Sequence, residues 1–205
     1  MHFLKNITSS SKIYNHPFGV KEYRYSNEFR QEEVDDIIDY LEQSYFASES
    51  INLGAPGFQT PGYYNLFSEG IFEKLLDTFL KSVRDYVNHP KVIDNLNLGQ
   101  YDMYSWCYSN WKSSPREDLG EWHFHSSPQP DAISGIFYLK LPKSPGGETI
   151  FHIAGNEFEL PSNEWSWFLF PSSYIHAPGK VFSAEKRYTI SSDIYFEETI
   201  GKVRY

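Results

Sequence analysis

The second half of this chain is a succession of short apolar or alternating runs with turns between them. That pattern limits the fold more than any other feature. Tyr101–Tyr108 is aromatic and alternating, and Ala132–Leu141 (AISGIFYLKL), Thr149–Ile153, Trp165–Phe170 and Arg187–Phe196 follow it. Each run has strand length, and Pro/Gly/Ser stretches such as Lys143–Gly147 and Pro171–Ser173 separate them. Several short strands at this spacing, beginning at about Asn97, predict a sandwich or jelly roll.

The first half has a different period. Asn27–Phe46 places Val34, Ile37, Ile38, Leu41 and Tyr45 on one helical face, with Glu32, Glu33, Asp35 and Asp36 toward solvent. After a Gly/Pro-punctuated loop, Ser68 is expected to cap a second helix with Glu69 in its first turn. Ile71, Leu75, Phe79, Val83 and Tyr86–Val87 line one side of that helix, which should stop before Pro90. Neither helix carries a metal or catalytic spacing, so both are expected to buttress a sheet. The length of 205 residues suits one domain, with a helical support region over about 1–95 and a jelly-roll core over about 97–197. Rings make up 18% of the chain and are expected to build the core, Trp106, Trp122, Trp165 and Trp167 packing the two sheets.

Composition also excludes several roles. With 18 Lys+Arg against 27 Asp+Glu the net charge is −9, which argues against a nucleic-acid binder, because phosphate contact needs a basic face. A small anion held by one or two buried basic residues stays open. Cys107 stands alone, so neither a disulfide framework nor a thiolate metal cluster is expected, and its aromatic neighbours make it a buried packing residue. Met1–Val20 lacks the apolar stretch of a secretory signal, and no run approaches a membrane span. The expectation is a soluble cytoplasmic protein that engages neither membrane nor nucleic acid.

Three of the seven histidines stand out by context. His123 and His125 form Trp-His-Phe-His, and residues i and i+2 of a strand face the same side, so two imidazoles can meet one metal ion. Alone this is a weak signal, for which a hydrogen-bonded or surface pair is the ordinary explanation. His176 strengthens it, because it comes just past the strand Trp165–Phe170 and a Pro-Ser-Ser turn, where a jelly roll brings distant strands together. Nitrogen ligation suits Fe, Zn, Cu or Ni without choosing among them. Arg187 lies eleven residues after His176 at the start of an alternating strand, on the same side as Thr189. A guanidinium beside a hydroxyl is a receptor for a carboxylate. His152 on a short strand reads as a packed or surface histidine, and Asn110 as a strand-end residue.

Together these features resemble the Fe(II)/2-oxoglutarate-dependent oxygenases, whose fold is the double-stranded β-helix, a cupin-like jelly roll. The pattern is most like the prolyl-4-hydroxylase-like enzymes of phages and bacteria. It is carried by Ser109-Asn110-Trp111, Gly120, His123-Phe-His125, Ser134-Gly-Ile-Phe-Tyr138-Leu139, the Phe-Pro-Ser turn before His176, and Arg187. With the upstream Gln59-Thr60 it spans about residues 55–196. The resemblance implies that His123, His125 and His176 hold Fe(II). Arg187, helped by Thr189 and Tyr138, would bind the far carboxylate of 2-oxoglutarate, with Asn110 and Trp122 near the cosubstrate or substrate. It further implies an O2-consuming hydroxylation of a C–H bond, in a protein side chain or a small metabolite, with release of succinate and CO2.

One departure matters. The family's usual triad is two His and one carboxylate, and here His125 stands where the acid belongs. Glu121 on the His123 face and Asp131, six residues past His125, remain alternative acids. Two other readings keep the fold. One is a cupin-type metal enzyme that takes Asp131 as a further ligand and needs no 2-oxoglutarate. The other is a jelly-roll binding or virion protein. Arg187–Thr189 discriminates against the first, because a cupin has no need of a carboxylate clamp there, and loss of metal binding on replacing His176 by Ala would discriminate against the second.

Overall fold

A computed structural model describes residues 12–46, 58–60, 65–112, 122–125 and 132–196. Its strands are β1 (Lys12–Asn15), β2 (Lys21–Arg24), β3 (Phe58–Gln59), β4 (Tyr101–Asn110), β5 (Ala132–Lys140), β6 (Thr149–Ile153), β7 (Asn156–Leu160), β8 (Ser166–Pro171), β9 (Ile175–Pro178) and β10 (Arg187–Phe196). Three α-helices, α1 (Gln31–Leu41), α2 (Glu73–Val87) and α3 (Pro90–Leu98), precede β4. Every strand pair is antiparallel. Seven strands form one sheet in the order β1-β2-β8-β5-β10-β4-β3, and β7-β6-β9 form a second. The chain is therefore mainly β with helices added, and the described strands make two separate sheets.

Alternation along the central strands builds two cores. From β5, β8 and β10, one set of side chains (Ile133, Phe137, Leu139, Trp167, Leu169, Ile190, Ile194) faces the helices. The intervening set (Ile136, Tyr138, Phe168, Phe170) meets Phe151 and Leu160 of the small sheet. Phe79 of α2 seats against Trp167 with ring centroids 4.8 Å apart, and the Trp167 indole N–H donates to Thr78 Oγ1 at 3.0 Å. Gly135 makes room for this contact, since a Cβ there would fall 2.7 Å from Phe79. Burying a ring of this size contributes about 2–3 kcal/mol.

The helices end as their sequences dictate. In α1 the backbone N–H of Arg30 donates to Glu33 at 2.8 Å, one half of a capping box, and Lys74 of α2 holds the same carboxylate at 2.9 Å. That pairing keeps the Glu33 carboxyl down at about 2. Asn88 closes α2 in the left-handed conformation. No helix among the described residues is long and apolar enough to cross a membrane.

Several local expectations are corrected. Ser68 does not cap α2; it ends a short 3-10 turn, Leu66–Ser68, that Asn65 caps by accepting from the Phe67 N–H at 3.1 Å. α2 stops at Val87, before Pro90 as expected, but Pro90 itself begins a further helix, α3, because proline's missing N–H is harmless at a first helical position. The N-terminal part adds strands β1, β2 and β3 to the large sheet. Trp167 packs toward the helices rather than between the sheets, where Phe151, Phe168 and Phe170 do that work.

Candidate metal centre and anion pocket

Within the described segment Trp122–His125, His123 forms an antiparallel bridge with His176. His123 N–H donates to His176 O at 3.0 Å, and His176 N–H returns to His123 O at 2.9 Å. His125 N–H donates to Ser172 O at 2.9 Å. His176 lies within β9, a strand of its own in the small sheet, instead of just past a strand end. These backbone bonds fix the three rings against one another. Their centroids are 4.4 Å (His123–His176), 5.0 Å (His125–His176) and 5.1 Å (His123–His125) apart. One ligand nitrogen from each falls within 4.8 Å of the others.

Each ring is prepared for that geometry differently. His176 is 3% exposed, and burial, with the neighbouring His125 and His123, holds its imidazole well below the usual range, so it is neutral. Its Nδ1 donates to Tyr174 O at 3.0 Å, which leaves the Nε2 lone pair to the cluster. His125 Nδ1 lies 2.8 Å from Asp193 Oδ1. Ser134 Oγ donates to the same oxygen at 2.6 Å and stands 3.0 Å from Ser172 Oγ, while Tyr195 donates to Oδ2 at 3.4 Å. Burial and the Asp193 charge push the Tyr195 hydroxyl upward. Phe151 and Phe170 back His176 at 5.6 and 5.0 Å, and Trp106 lies 5.2 Å from His125.

Arg187 opens β10, with its side chain on the face turned away from the helical core. It is 2% exposed, and its Nε has no hydrogen-bond partner. Nη1 makes only long contacts, 3.5 Å to Asn110 Oδ1 and 3.4 Å to Thr189 Oγ1, while the Tyr138 ring lies 5.1 Å from its Cζ. Among the described residues it has no carboxylate partner. Between Tyr188 and Thr189 the register with β5 slips and Leu139 of β5 becomes an extra residue, a bulge, while the pairing of β10 with β4 stays unbroken. Gly147 closes on the guanidinium stem: at φ +86° it takes a conformation only glycine adopts cheaply, and a Cβ would meet Arg187 Cδ at 2.7 Å.

The sequence-derived residues therefore separate into groups. His123, His125 and His176 converge, and Arg187, Thr189, Tyr138 and Asn110 form a second cluster linked to the first through Tyr138, Thr149 and Phe151. The Tyr138 hydroxyl is engaged by Thr149, accepting its N–H at 3.0 Å with Oγ1 at 2.6 Å, so the ring rather than the hydroxyl covers Arg187. Trp122 is exposed, edge-on to His152 at 6.0 Å, and His152 itself pairs with Glu157 at 3.7 Å. Glu121 and Asp131 lie outside the described residues. Sequence reasoning missed Asp193 and Ser134 as partners of His125. The available signal was alternation along β10, which puts Asp193 on the same face as Arg187 and Thr189.

No protein-family model matches the sequence, and no curated protein matches it. Solved structures with a similar fold do exist. A prolyl-4-hydroxylase from Pseudomonas putida aligns with a TM-score of 0.60 at 13% identity, covering 87% of this chain and 93% of that one. HygX from Streptomyces hygroscopicus, with nickel and 2-oxoglutarate bound, aligns at 0.60 and 14% identity over 88% and 84% of the two chains. The viral collagen prolyl hydroxylase of Paramecium bursaria Chlorella virus-1, in its 2OG complex, aligns at 0.55 and 14% identity over 85% and 94%. The likeness is one of fold.

Proposed function

We propose that this chain is an Fe(II)- and 2-oxoglutarate-dependent dioxygenase that hydroxylates a C–H bond of a protein side chain or small metabolite. The observation that carries the reading is Arg187, a buried guanidinium with an orphaned Nε in the same structure as three converging imidazoles. A buried cation with no carboxylate partner among the described residues is costly, and a carboxylate arriving from outside relieves that cost. A carboxylate clamp is what a cosubstrate-using oxygenase needs and a cupin without 2-oxoglutarate does not. In this reading all 205 residues form one domain, and the two sheets are the halves of a double-stranded β-helix over about 97–197.

The donor set fits iron. His176 offers Nε2 because Tyr174 O takes its other nitrogen, His125 does so because Asp193 takes its Nδ1, and His123 completes the set. When bound, iron with 2-oxoglutarate and O2 supplies the oxidising chemistry, which ends in hydroxylated product, succinate and CO2. The remaining work belongs to the protein. Arg187 holds the distal carboxylate by charge-assisted hydrogen bonds, with Thr189 and Asn110 trimming its position. The Tyr138 ring keeps the guanidinium in place, and Phe151 and Phe170 exclude water from behind His176.

The test is to incubate the protein with 2-oxoglutarate, with and without Fe(II), and measure succinate. Iron-dependent succinate formation is expected. No consumption of 2-oxoglutarate, together with no calorimetric binding of it to the metal-loaded protein, refutes the reading.

A further inference from the structure

Three neutral imidazoles leave a divalent metal one negative charge short of the usual two-His, one-carboxylate set. We propose that Asp193 makes up this deficit from behind the metal, acting through His125 as a positioning residue. The inference rests on the reading of His123, His125 and His176 as metal ligands.

The surroundings of Asp193 are specific. It is 4% exposed, and the donors facing it are His125 Nδ1, Ser134 Oγ and Tyr195 Oη. Its one ion-pair partner among the described residues is His125. No lysine or arginine there neutralises it, so the carboxylate is directed at a ring that in turn faces the metal cluster. Accepting the Nδ1–H settles the tautomer, points Nε2 at the cluster and makes that nitrogen a better electron donor. His125 is gripped from both sides, by Ser172 O at its backbone and by Asp193 at its ring. Ser134 ties the two grips together through Ser172 Oγ.

A charge count makes the inference testable. The native pair His125 and Asp193 carries one negative charge, held in the outer position. Exchanging them as His125→Asp with Asp193→Asn moves the same charge into the ligand set. His125→Asp alone places two carboxylates side by side, and Asp193→Asn alone leaves none. Asp193→Asn should therefore weaken metal binding strongly in the native background, where it removes the one negative charge, and less in the His125→Asp background, where a carboxylate remains in the ligand set.

The experiment titrates the whole chain and these three variants with Co(II), reading affinity and the visible absorption of the bound ion, with His176→Ala as the ligand-loss control. Asp193→Asn is expected to weaken Co(II) binding ten- to a hundredfold without changing the form of the spectrum. The double variant should bind more tightly than Asp193→Asn alone. Unchanged affinity in Asp193→Asn, or equal weakening in both backgrounds, overturns the inference. Loss of the ion as complete as in His176→Ala also overturns it, because Asp193 would then be a ligand itself. If the native chain takes up no Co(II), the metal-site reading fails instead, a distinguishable result. Should Asp193→Asn fail to fold by near-UV circular dichroism, Asp193→Ser carries the same test.

Discussion

Replacing Arg187 with Met should separate stability from cosubstrate binding. The native guanidinium is 2% exposed, its Nε is unsatisfied, and its two hydrogen-bond contacts are 3.4 and 3.5 Å long. Such contacts return little of what it costs to bury the charge. A flexible apolar side chain of similar length fills the same space against Gly147 and Tyr138 without that penalty, as when buried ion pairs are replaced by well-packed hydrophobic residues. The ligand-free variant should therefore unfold at the same or a higher temperature than the native protein. Binding should change in the opposite direction. Hydrogen bonds to a charged group contribute about 1.5–3 kcal/mol each, so losing a two-pronged grip weakens 2-oxoglutarate binding by about a hundredfold or more. The assay is thermal unfolding with and without 2-oxoglutarate, where the ligand-induced rise in Tm reads the affinity. The native protein should show the rise and Arg187→Met should lose it at the same ligand concentration. A variant that unfolds earlier yet keeps the rise would refute the reasoning, since Arg187 would then be a structural residue.

Three further outcomes follow from the packing and the charges. Gly147→Ala should cost about 1–3 kcal/mol from backbone strain at φ +86° and also weaken 2-oxoglutarate binding, because the new methyl displaces the Arg187 stem; denaturation and ligand titration check the two effects. Phe79→Ala should cost about 3–5 kcal/mol in chemical denaturation, as it empties the contact with Trp167. The Glu33 carboxyl is held at about 2 against an ordinary 4.5, so its tie to Lys74 is fully stabilising above the ordinary value and is lost as pH falls from there toward 2. Glu33→Gln should accordingly be less stable than the native chain at pH 6, with the difference narrowing at pH 3 in urea titrations.

Much of this organisation can be read along the chain, and the parts that cannot have common physical causes. The runs at Thr149–Ile153 and Arg187–Phe196 are strands over those same residues, because both faces of each make contacts and the pattern stays dense from end to end. β1 and β2 escaped notice because polar residues fill five of their eight positions, and burial of Glu22 depends on Arg24, Asn163 and His16 rather than on local pattern. β7 sets exposed Asn156, Glu157 and Glu159 around only two apolar residues, Phe158 and Leu160, and β9 is four residues ending in proline. Such strands are set by their neighbours, not by propensity.

The candidate site divides along the same line. Residue types and spacing were enough to select His123, His125, His176 and Arg187, because metal ligation and anion binding each demand particular side chains and a strand's two-residue period says which of them share a face. Spacing offered Glu121 and Asp131 as acids that could join the imidazoles as ligands, and it did not show that the carboxylate against His125 comes from residue 193. Only the folded sheet brings β10 beneath the His-x-His segment, and only burial leaves Arg187 without a carboxylate partner among the described residues. Both are properties of through-space neighbours, which hydrophobic packing and strand pairing choose and no local stretch of sequence encodes.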